Sequence, residues 1–518
     1  MQHGVDARWY GLASVHELVD LSQVGFREYQ FNIAKRIFAG HNTLVILPTG
    51  LGKTLIGILA IANVLSSGKK ALVLAPTKPL AEQHHASLQQ YLSIEKEKIL
   101  LLTGSLGKSK RKELESFARV IIATPQTVAN ELKHANFDLS DFGIAVFDEC
   151  HKAVGKYAYT YIADECDLKG VQMVGLTASP GSKREKIKAL MNVLKIKQIE
   201  IRISTDPDVA KYVMPKYIHV VEVEKSQTIN RIAAQIRPIA EDSLAKLRNM
   251  GLTQFRSFET MPKGRLIELG NMIGRIRADN FKFGALYQYV RLLNSIHAYD
   301  LLETQGLYAF SSYMDSLRAR EKKGKAVQAF LDNPSVISAK RSCDEAIGQG
   351  EEHPKVFTLI NILTQNKGKS AIVFVQYRST IKMLVEKLTA FGFDARAFVG
   401  KKDGVTQAQQ KQTIEEFREG KFKVLVSSSI GEEGLDIPSV DMVVFYEPIP
   451  SEIRNIQRKG RTGRLYSGEV YLLMAKSTKD QVYLMVSRQR EKKMQEVVKS
   501  LQSGLAEKGR EGPRQSTL

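Results

Sequence analysis

Short, continuously apolar runs recur along the chain with helix-length segments between them. Residues 44–47, 71–75, 99–102, 120–123, 144–147 and 173–176 each read as a strand buried on both faces. The rhythm stops near residue 201 and resumes at 355, where 370–375, 395–399, 423–427, 442–445 and 470–473 form a second set. Strands alternating with helices predict an α/β protein with two doubly wound parallel sheets. Between them, two strand-like stretches (199–203 and 217–223) precede a region of 3.6-residue periodicity over 229–247, 266–293 and 298–317, the pattern of an inserted helical subdomain. Gly348-Gln349-Gly350-Glu351-Glu352-His353-Pro354 reads as a hinge. The expected organisation is therefore an α/β domain over 1–205, linker strands plus a helical insert over 206–350, and a second α/β domain over 351–490. Residues 491–518 are expected to hold a basic helix end and a tail disordered after about residue 505.

Composition narrows the class. The 518 residues are 43% hydrophobic, enough for about three domains with cores of their own. Lys and Arg number 75 against 55 Asp and Glu, and the net +20 favours a polyanionic partner, although a merely solvated basic surface would have the same composition. Three cysteines, Cys150, Cys166 and Cys343, are too scattered for a disulfide framework or a zinc site. His3, Asp6, Arg8, His16 and Glu17 interrupt any secretion-signal core, and the apolar helix 55–65 is too short to span a bilayer. A cytoplasmic location, nucleoid-associated in a prokaryote, and no membrane partner are expected.

Chemistry gathers at strand ends. The first run continues as Leu47-Pro48-Thr49-Gly50-Leu51-Gly52-Lys53-Thr54 and then becomes an apolar helix. Glycines let successive N–H groups face one anion, and the helix N-terminus adds its positive end. In such a loop Lys53 reaches the β- and γ-phosphates and Thr54 ligates Mg²⁺. The strict pattern asks for glycine where Leu47 stands. Upstream, Gln30 carries an amide able to read an adenine edge, though alone it would pass for a surface residue. At the end of the 144–147 run, Asp148 can share the Mg²⁺ with Thr54 while Glu149 polarises the attacking water. Asp164-Glu165-Cys166 repeats those letters without a preceding strand, and reads as surface.

The second half has no such loop, since Gln376-Tyr377-Arg378 follows its first strand. It carries instead Gln457-Arg458-Lys459-Gly460-Arg461-Thr462-Gly463-Arg464. Arg461 and Arg464, three residues apart, can both reach a γ-phosphate presented by the first half, which would make hydrolysis depend on closure. In the insert, Arg275, Arg277, Phe281, Lys282, Phe283, Tyr287, Tyr289 and Arg291 mix basic and aromatic residues. Aromatics at helical spacing are more often core than surface, while the basic residues between them suit an exposed face that grips a duplex.

Pro48 to Thr54, Asp148-Glu149-Cys150-His151 and Thr177-Ala178-Ser179-Pro180 resemble motifs I, II and III of superfamily 2 DExH helicases, whose motif I does not insist on the first glycine. Phe374 to Arg378, Ser429 to Asp436 and Gln457 to Arg464 resemble motifs IV, V and VI, in the expected order. The large insert and the Asp-Glu-Cys-His box look most like the Hef/Fanconi M-type branched-DNA translocases, with the Dicer and RIG-like double-stranded-RNA ATPases as relatives. The resemblance implies two RecA-like domains, ATP and Mg²⁺, and a nucleic-acid-stimulated ATPase acting on forked or branched DNA in replication-fork repair. It implies that Gln30 and Leu47 to Thr54 hold the nucleotide, that Gly434 and Asp436 touch its sugar, and that Gln457 touches its phosphates. Thr77, Lys78, Gly104, Thr124, Tyr377, Arg378 and Ser429 would contact the nucleic-acid backbone, and His151, Thr177 and Ser179 would couple the halves. The nuclease triad appended in archaeal members has no counterpart here, which leaves room for a separate nuclease or repair partner; a monomer is expected. An RNA helicase or double-stranded-RNA ATPase, or an ATP-gated clamp that does not translocate, would fit the same motifs.

Overall fold

The computed structural model describes Arg8 and residues 12–510, except 13–14, 16, 23, 49, 103–116, 154, 156–157, 204, 213–216, 401–404, 429–439 and 449–467. Two parallel sheets form. The first holds β1 (Thr43–Ile46), β2 (Lys70–Leu74), β3 (Ile99–Leu102), β4 (Val120–Ala123), β5 (Phe142–Asp148), β6 (Gln172–Thr177) and β7 (Gln198–Ile201), in the order β3-β4-β2-β5-β6-β1-β7. Helices cover both faces, so the central strands are buried along their whole length and the sequence shows no alternation.

The second sheet runs β10-β11-β9-β12-β13-β8 and contains β8 (Tyr217–Val223), β9 (Ala371–Val375), β10 (Ala395–Phe398), β11 (Val424–Ser428), β12 (Met442–Phe445) and β13 (Glu469–Ala475). The edge strand β8 changes the expected organisation. It was placed with the linker, yet all seven of its residues pair in parallel with β13, from Tyr217 opposite Glu469 to Val223 opposite Ala475. Its exposed, polar-interrupted face hides this membership from a search for continuous apolar runs. The helical insert consequently lies within the second domain, between its first and second strands.

The insert comprises Gln227–Asn249, Lys263–Arg275, Asn280–Thr304, Leu307–Arg318, Lys325–Leu331 and Pro334–Gly348 around one apolar core. The predicted 266–293 helix is two helices, because Asp279 caps a new one by accepting from the Lys282 N–H. The 298–317 span breaks likewise at Gly306, whose φ of +102° no L side chain adopts easily. Phe281 and Phe283 lie on the surface, 44% and 62% exposed, against the expectation that helically spaced aromatics fill the core.

Charged groups lock the insert to the second sheet. Lys355, fully buried, donates to Asp480 at 2.6 Å and to the carbonyl of Thr304 at 3.0 Å. Lys479 pairs with Asp300 at 2.7 Å, and the buried Gln305 accepts from the Thr380 hydroxyl at 3.1 Å. Removing one partner of such a buried pair leaves an uncompensated charge and costs several kcal/mol, about 3–5. The C-terminal helix Lys479–Arg510 starts in this cluster and ends on the first sheet, where Met494, Val498 and Leu501 join the core and Gln502 donates to the Ile199 carbonyl at 2.9 Å. Helix therefore continues into the stretch expected to be disordered, as far as Arg510, and the rest of that stretch lies outside the described residues.

Glu447, just past β12, is buried in the same junction and accepts from the Gln376 N–H. Desolvation pushes its carboxyl up to about 7, with the Lys355 charge pulling the other way. A folded-state value above the unfolded one means that the folded chain holds the proton more tightly, so stability present below about pH 4.5 is lost as pH rises through 7. Glu447→Gln is expected to flatten the decline in melting temperature between pH 5 and pH 8, measured by thermal denaturation across that range.

Candidate nucleotide site and strand-end surface

β1 delivers the loop. Its neighbours β6 and β7 pair along its full length, and beyond Ile46 the Leu47 N–H donates to the Thr177 carbonyl at 3.1 Å. The chain then turns through Gly50 and Gly52, with φ of +85° and +76°, into the helix Lys53–Ser66. A Cβ on Gly52 would lie 2.2 Å from Gln30 Nε2, so a side chain here would displace the Gln30 amide as well as strain the backbone. Lys53 Nζ donates to the Leu47 carbonyl at 3.1 Å, which folds the lysine across the loop. Pro48 is half-buried, Leu51 buried and Thr54 exposed. Thr49 lies outside the described residues.

Gln30 is 2% exposed and sits in the helix Glu28–Ile37. Its Nε2 donates to the Leu51 carbonyl at 3.0 Å, beside the Tyr29 hydroxyl, which donates to the same oxygen at 2.7 Å. Its Oε1 is buried with no hydrogen-bond partner. An orphaned amide oxygen beside the loop, on a side chain held in place by the Leu51 carbonyl, fits an incoming N–H such as the adenine amino group.

Asp148 ends β5, two strands from β1, with β6 between. It is 6% exposed, and its carbonyl accepts from the Tyr159 hydroxyl at 2.7 Å. Glu149 follows in a left-handed conformation (φ +48°), a strain of about 1–2 kcal/mol for an L residue. Desolvation pushes the Glu149 carboxyl up, but the hydrogen bond to His151 and the Lys53 charge outweigh it and the repulsion of Asp148, holding Glu149 below its usual range. His151 Nδ1 lies 3.3 Å from Glu149 Oε2 and 3.1 Å from Thr177 Oγ1, and the Ser179 N–H donates to that same hydroxyl at 3.1 Å. Ser179 Oγ donates to Met494 Sδ of the C-terminal helix at 3.0 Å. Motifs I, II and III thus form one connected edge. Thr54 and Asp148 offer only oxygen donors, a set suited to Mg²⁺ when phosphates and water complete the shell.

Thr77, Lys78 and Thr124 lie at the ends of the paired strands β2 and β4, where Thr77 and Thr124 precede the helices Lys78–Tyr91 and Pro125–Lys133. The Thr77 hydroxyl is buried without a partner, while Thr124 Oγ1 and Thr127 Oγ1 are 2.9 Å apart. In the second sheet Tyr377 and Arg378 follow β9, and the Tyr377 ring lies 6.2 Å from His297 of the insert. Gly104, Ser429, Gly434, Asp436, Gln457, Arg461 and Arg464 lie outside the described residues. Sequence reasoning missed His84, which contacts Asp148, and Met494. The first could have been suspected from its place on the helix that follows a functional strand end; the second carried no signal, being 315 residues from Ser179.

The chain is similar to known proteins along most of its length. Residues 27–187 match the DEAD/DEAH box helicase family, 354–466 the helicase conserved C-terminal domain, and 229–340 a helical bundle provisionally described as that of an ATP-dependent RNA helicase. A Methanocaldococcus jannaschii protein, provisionally named an ATP-dependent RNA helicase, is 34% identical over 499 residues, 94% of this chain and 62% of its own length. The ATP-dependent DNA helicase fml1 of Schizosaccharomyces pombe is 29% identical over 512 residues, 93% of this chain and 60% of its own. The chain therefore spans about three fifths of these relatives. The crystal structure of the Pyrococcus furiosus Hef helicase domain superposes with a TM-score of 0.73 at 39% identity, covering 91% of this chain and 100% of that one.

Gly52→Ala is expected to weaken binding of a fluorescent adenine nucleotide by about tenfold or more, because a φ of +76° costs about 1–2 kcal/mol with a side chain and Gln30 must move away. Equilibrium anisotropy titration, with the melting temperature followed in parallel, checks this.

Proposed function

The chain belongs to the Hef/Fanconi M-type group of superfamily 2 DExH helicases, and from that membership we propose that it is an ATP-driven motor acting on forked or branched DNA. The observation that carries the reading is the meeting of Gln30, the Gly50–Thr54 loop, Asp148 and Glu149 at one edge of the first sheet.

In the proposed cycle the free Gln30 Oε1 accepts from the adenine amino group. Lys53 leaves the Leu47 carbonyl for the β- and γ-phosphates, exchanging one acceptor for a charged one. Thr54 and Asp148 would hold Mg²⁺, which when bound neutralises developing phosphate charge. Glu149, kept ionised by its neighbours, orients and polarises the attacking water. Gly434 and Asp436 approach the sugar, Gln457 the phosphates, and Arg461 with Arg464 the γ-phosphate from the second domain, where such an arginine contributes about 10³–10⁵ in rate. His151, Thr177 and Ser179 relay the change across the cleft.

Strand translocation follows from two grips that move apart and together. Thr77, Lys78, Gly104 and Thr124 would hold the nucleic-acid backbone on the first domain, and Tyr377, Arg378 and Ser429 on the second, fixing register without reading bases. The exposed Phe281 and Phe283, beside Arg275, Arg277 and Lys282, give the insert a surface for the duplex at a fork. The protein would work as a monomer in the cytoplasm. The name of the Schizosaccharomyces pombe relative supports DNA; that of the Methanocaldococcus jannaschii relative favours the rival reading, an RNA helicase on the same motor.

Lys53→Ala and Glu149→Gln are each expected to lower nucleic-acid-stimulated ATP hydrolysis by about a hundredfold or more while the fold persists. A panel of forked DNA, linear duplex DNA and double-stranded RNA at one salt concentration should give the strongest stimulation with the fork. Strongest stimulation by RNA would favour the rival.

A further inference from the structure

We propose that His84 is a positioning residue for the nucleotide site: through its hydrogen bond to Asp148 it aims that carboxylate and ties its orientation to the helix rooted at the strand-gripping end of β2. The inference rests on the reading of Asp148 as the carboxylate that serves Mg²⁺. His84 Nε2–H donates to Asp148 Oδ2 at 2.8 Å, and the two side chains are 11% and 9% exposed. With one of its two oxygens engaged by a fixed imidazole, the rotation of the carboxylate is set, and with it the direction in which the group faces a metal or its water.

The surroundings argue that the contact is more than a way of packing the helix Lys78–Tyr91. That helix is already fastened to the sheet by buried Leu80, Ala81 and Leu88, and by the adjacent His85, whose Nε2–H donates to the Ile99 carbonyl of β3 at 3.0 Å. Neighbouring histidines thus have different tasks: His85 holds the helix to an edge strand, and His84 reaches a carboxylate on β5, the strand beside β2 on the other side from β4. Thr77 and Lys78 begin the same helix. A displacement of the helix by a bound strand would be felt at Asp148 through a single hydrogen bond.

The test is binding of a fluorescent ADP analogue titrated with Mg²⁺, on the unaltered chain, H84A and H84Q, with melting temperatures measured without metal. H84A should raise the half-saturating Mg²⁺ concentration by about tenfold or more, the range in which residues supporting a metal ligand act. Affinity for the nucleotide without Mg²⁺ should stay unchanged. H84Q, whose amide can donate to Asp148, should restore the Mg²⁺ midpoint to within a few-fold. Should H84A not fold, H84N, which is polar but too short to reach, takes its place with the same expected shift. An unchanged Mg²⁺ midpoint in H84A or H84N, or a lowered melting temperature with no change in Mg²⁺ dependence, overturns the proposal and leaves the helicase reading standing. Nucleotide binding by the unaltered chain that ignores Mg²⁺ would remove both.

Discussion

Parallel pairing forces the loop after every strand to the same edge of the sheet, and the site depends on that constraint. β1, β6 and β5 lie side by side, so the segments after Ile46, Thr177 and Asp148 become neighbours although 102 residues separate Ile46 from Asp148 and 131 separate it from Thr177. The connection is physical at each step. The Leu47 N–H binds the Thr177 carbonyl, the Thr177 hydroxyl meets His151 and the Ser179 N–H, and Lys53 lowers the Glu149 carboxyl. Glu149 holds a strained left-handed conformation here, with rigid strands on either side, while Gly50 and Gly52 turn through the same region without strain.

The larger bodies are joined unequally. The ammonium of Lys355, paired with Asp480, donates to the Thr304 carbonyl, and Lys479 pairs with Asp300; these contacts fasten the helical insert to the second domain. Between the two sheets the described contacts run mainly through the C-terminal helix. Its 32 residues span about 48 Å at 1.5 Å per residue. Its start belongs to the Lys355 cluster; its later turns bury Met494, Val498 and Leu501 against the first sheet, with Met494 touching Ser179. The insert is thus fastened to the second domain, and the helix joins that domain to Ser179 at the candidate site's edge.

Much of this was legible in the chain itself. Continuous apolar runs mark the central strands because both faces are covered, and the strand-loop-helix order marks the Gly50–Thr54 turn because Gly50 and Gly52 both have positive φ. Reading failed where the determinants are not periodic. The 217–223 strand is where the sequence places it, but its pairing with β13 is not encoded locally, and the insert's helical periodicity runs across an Asp cap and a left-handed glycine that divide it into separate helices. Phe281 and Phe283 were expected in a core they do not reach. Contacts such as Ser179 with Met494 and His84 with Asp148 depend on tertiary placement, which no local pattern encodes.

At the centre of the account is the claim that one triphosphate, held by Lys53, draws the two sheets together. All three native cysteines are buried, so labels can be directed to cysteines introduced at the exposed Lys188 and Lys411, one on each α/β domain. The distance between them is then measured by electron–electron resonance with and without a non-hydrolysable ATP analogue, Mg²⁺ and forked DNA. The distribution should shift to shorter distances with the analogue, and stay where it was when Lys53 is replaced by Ala. A distribution indifferent to nucleotide in the unaltered chain would contradict the claim.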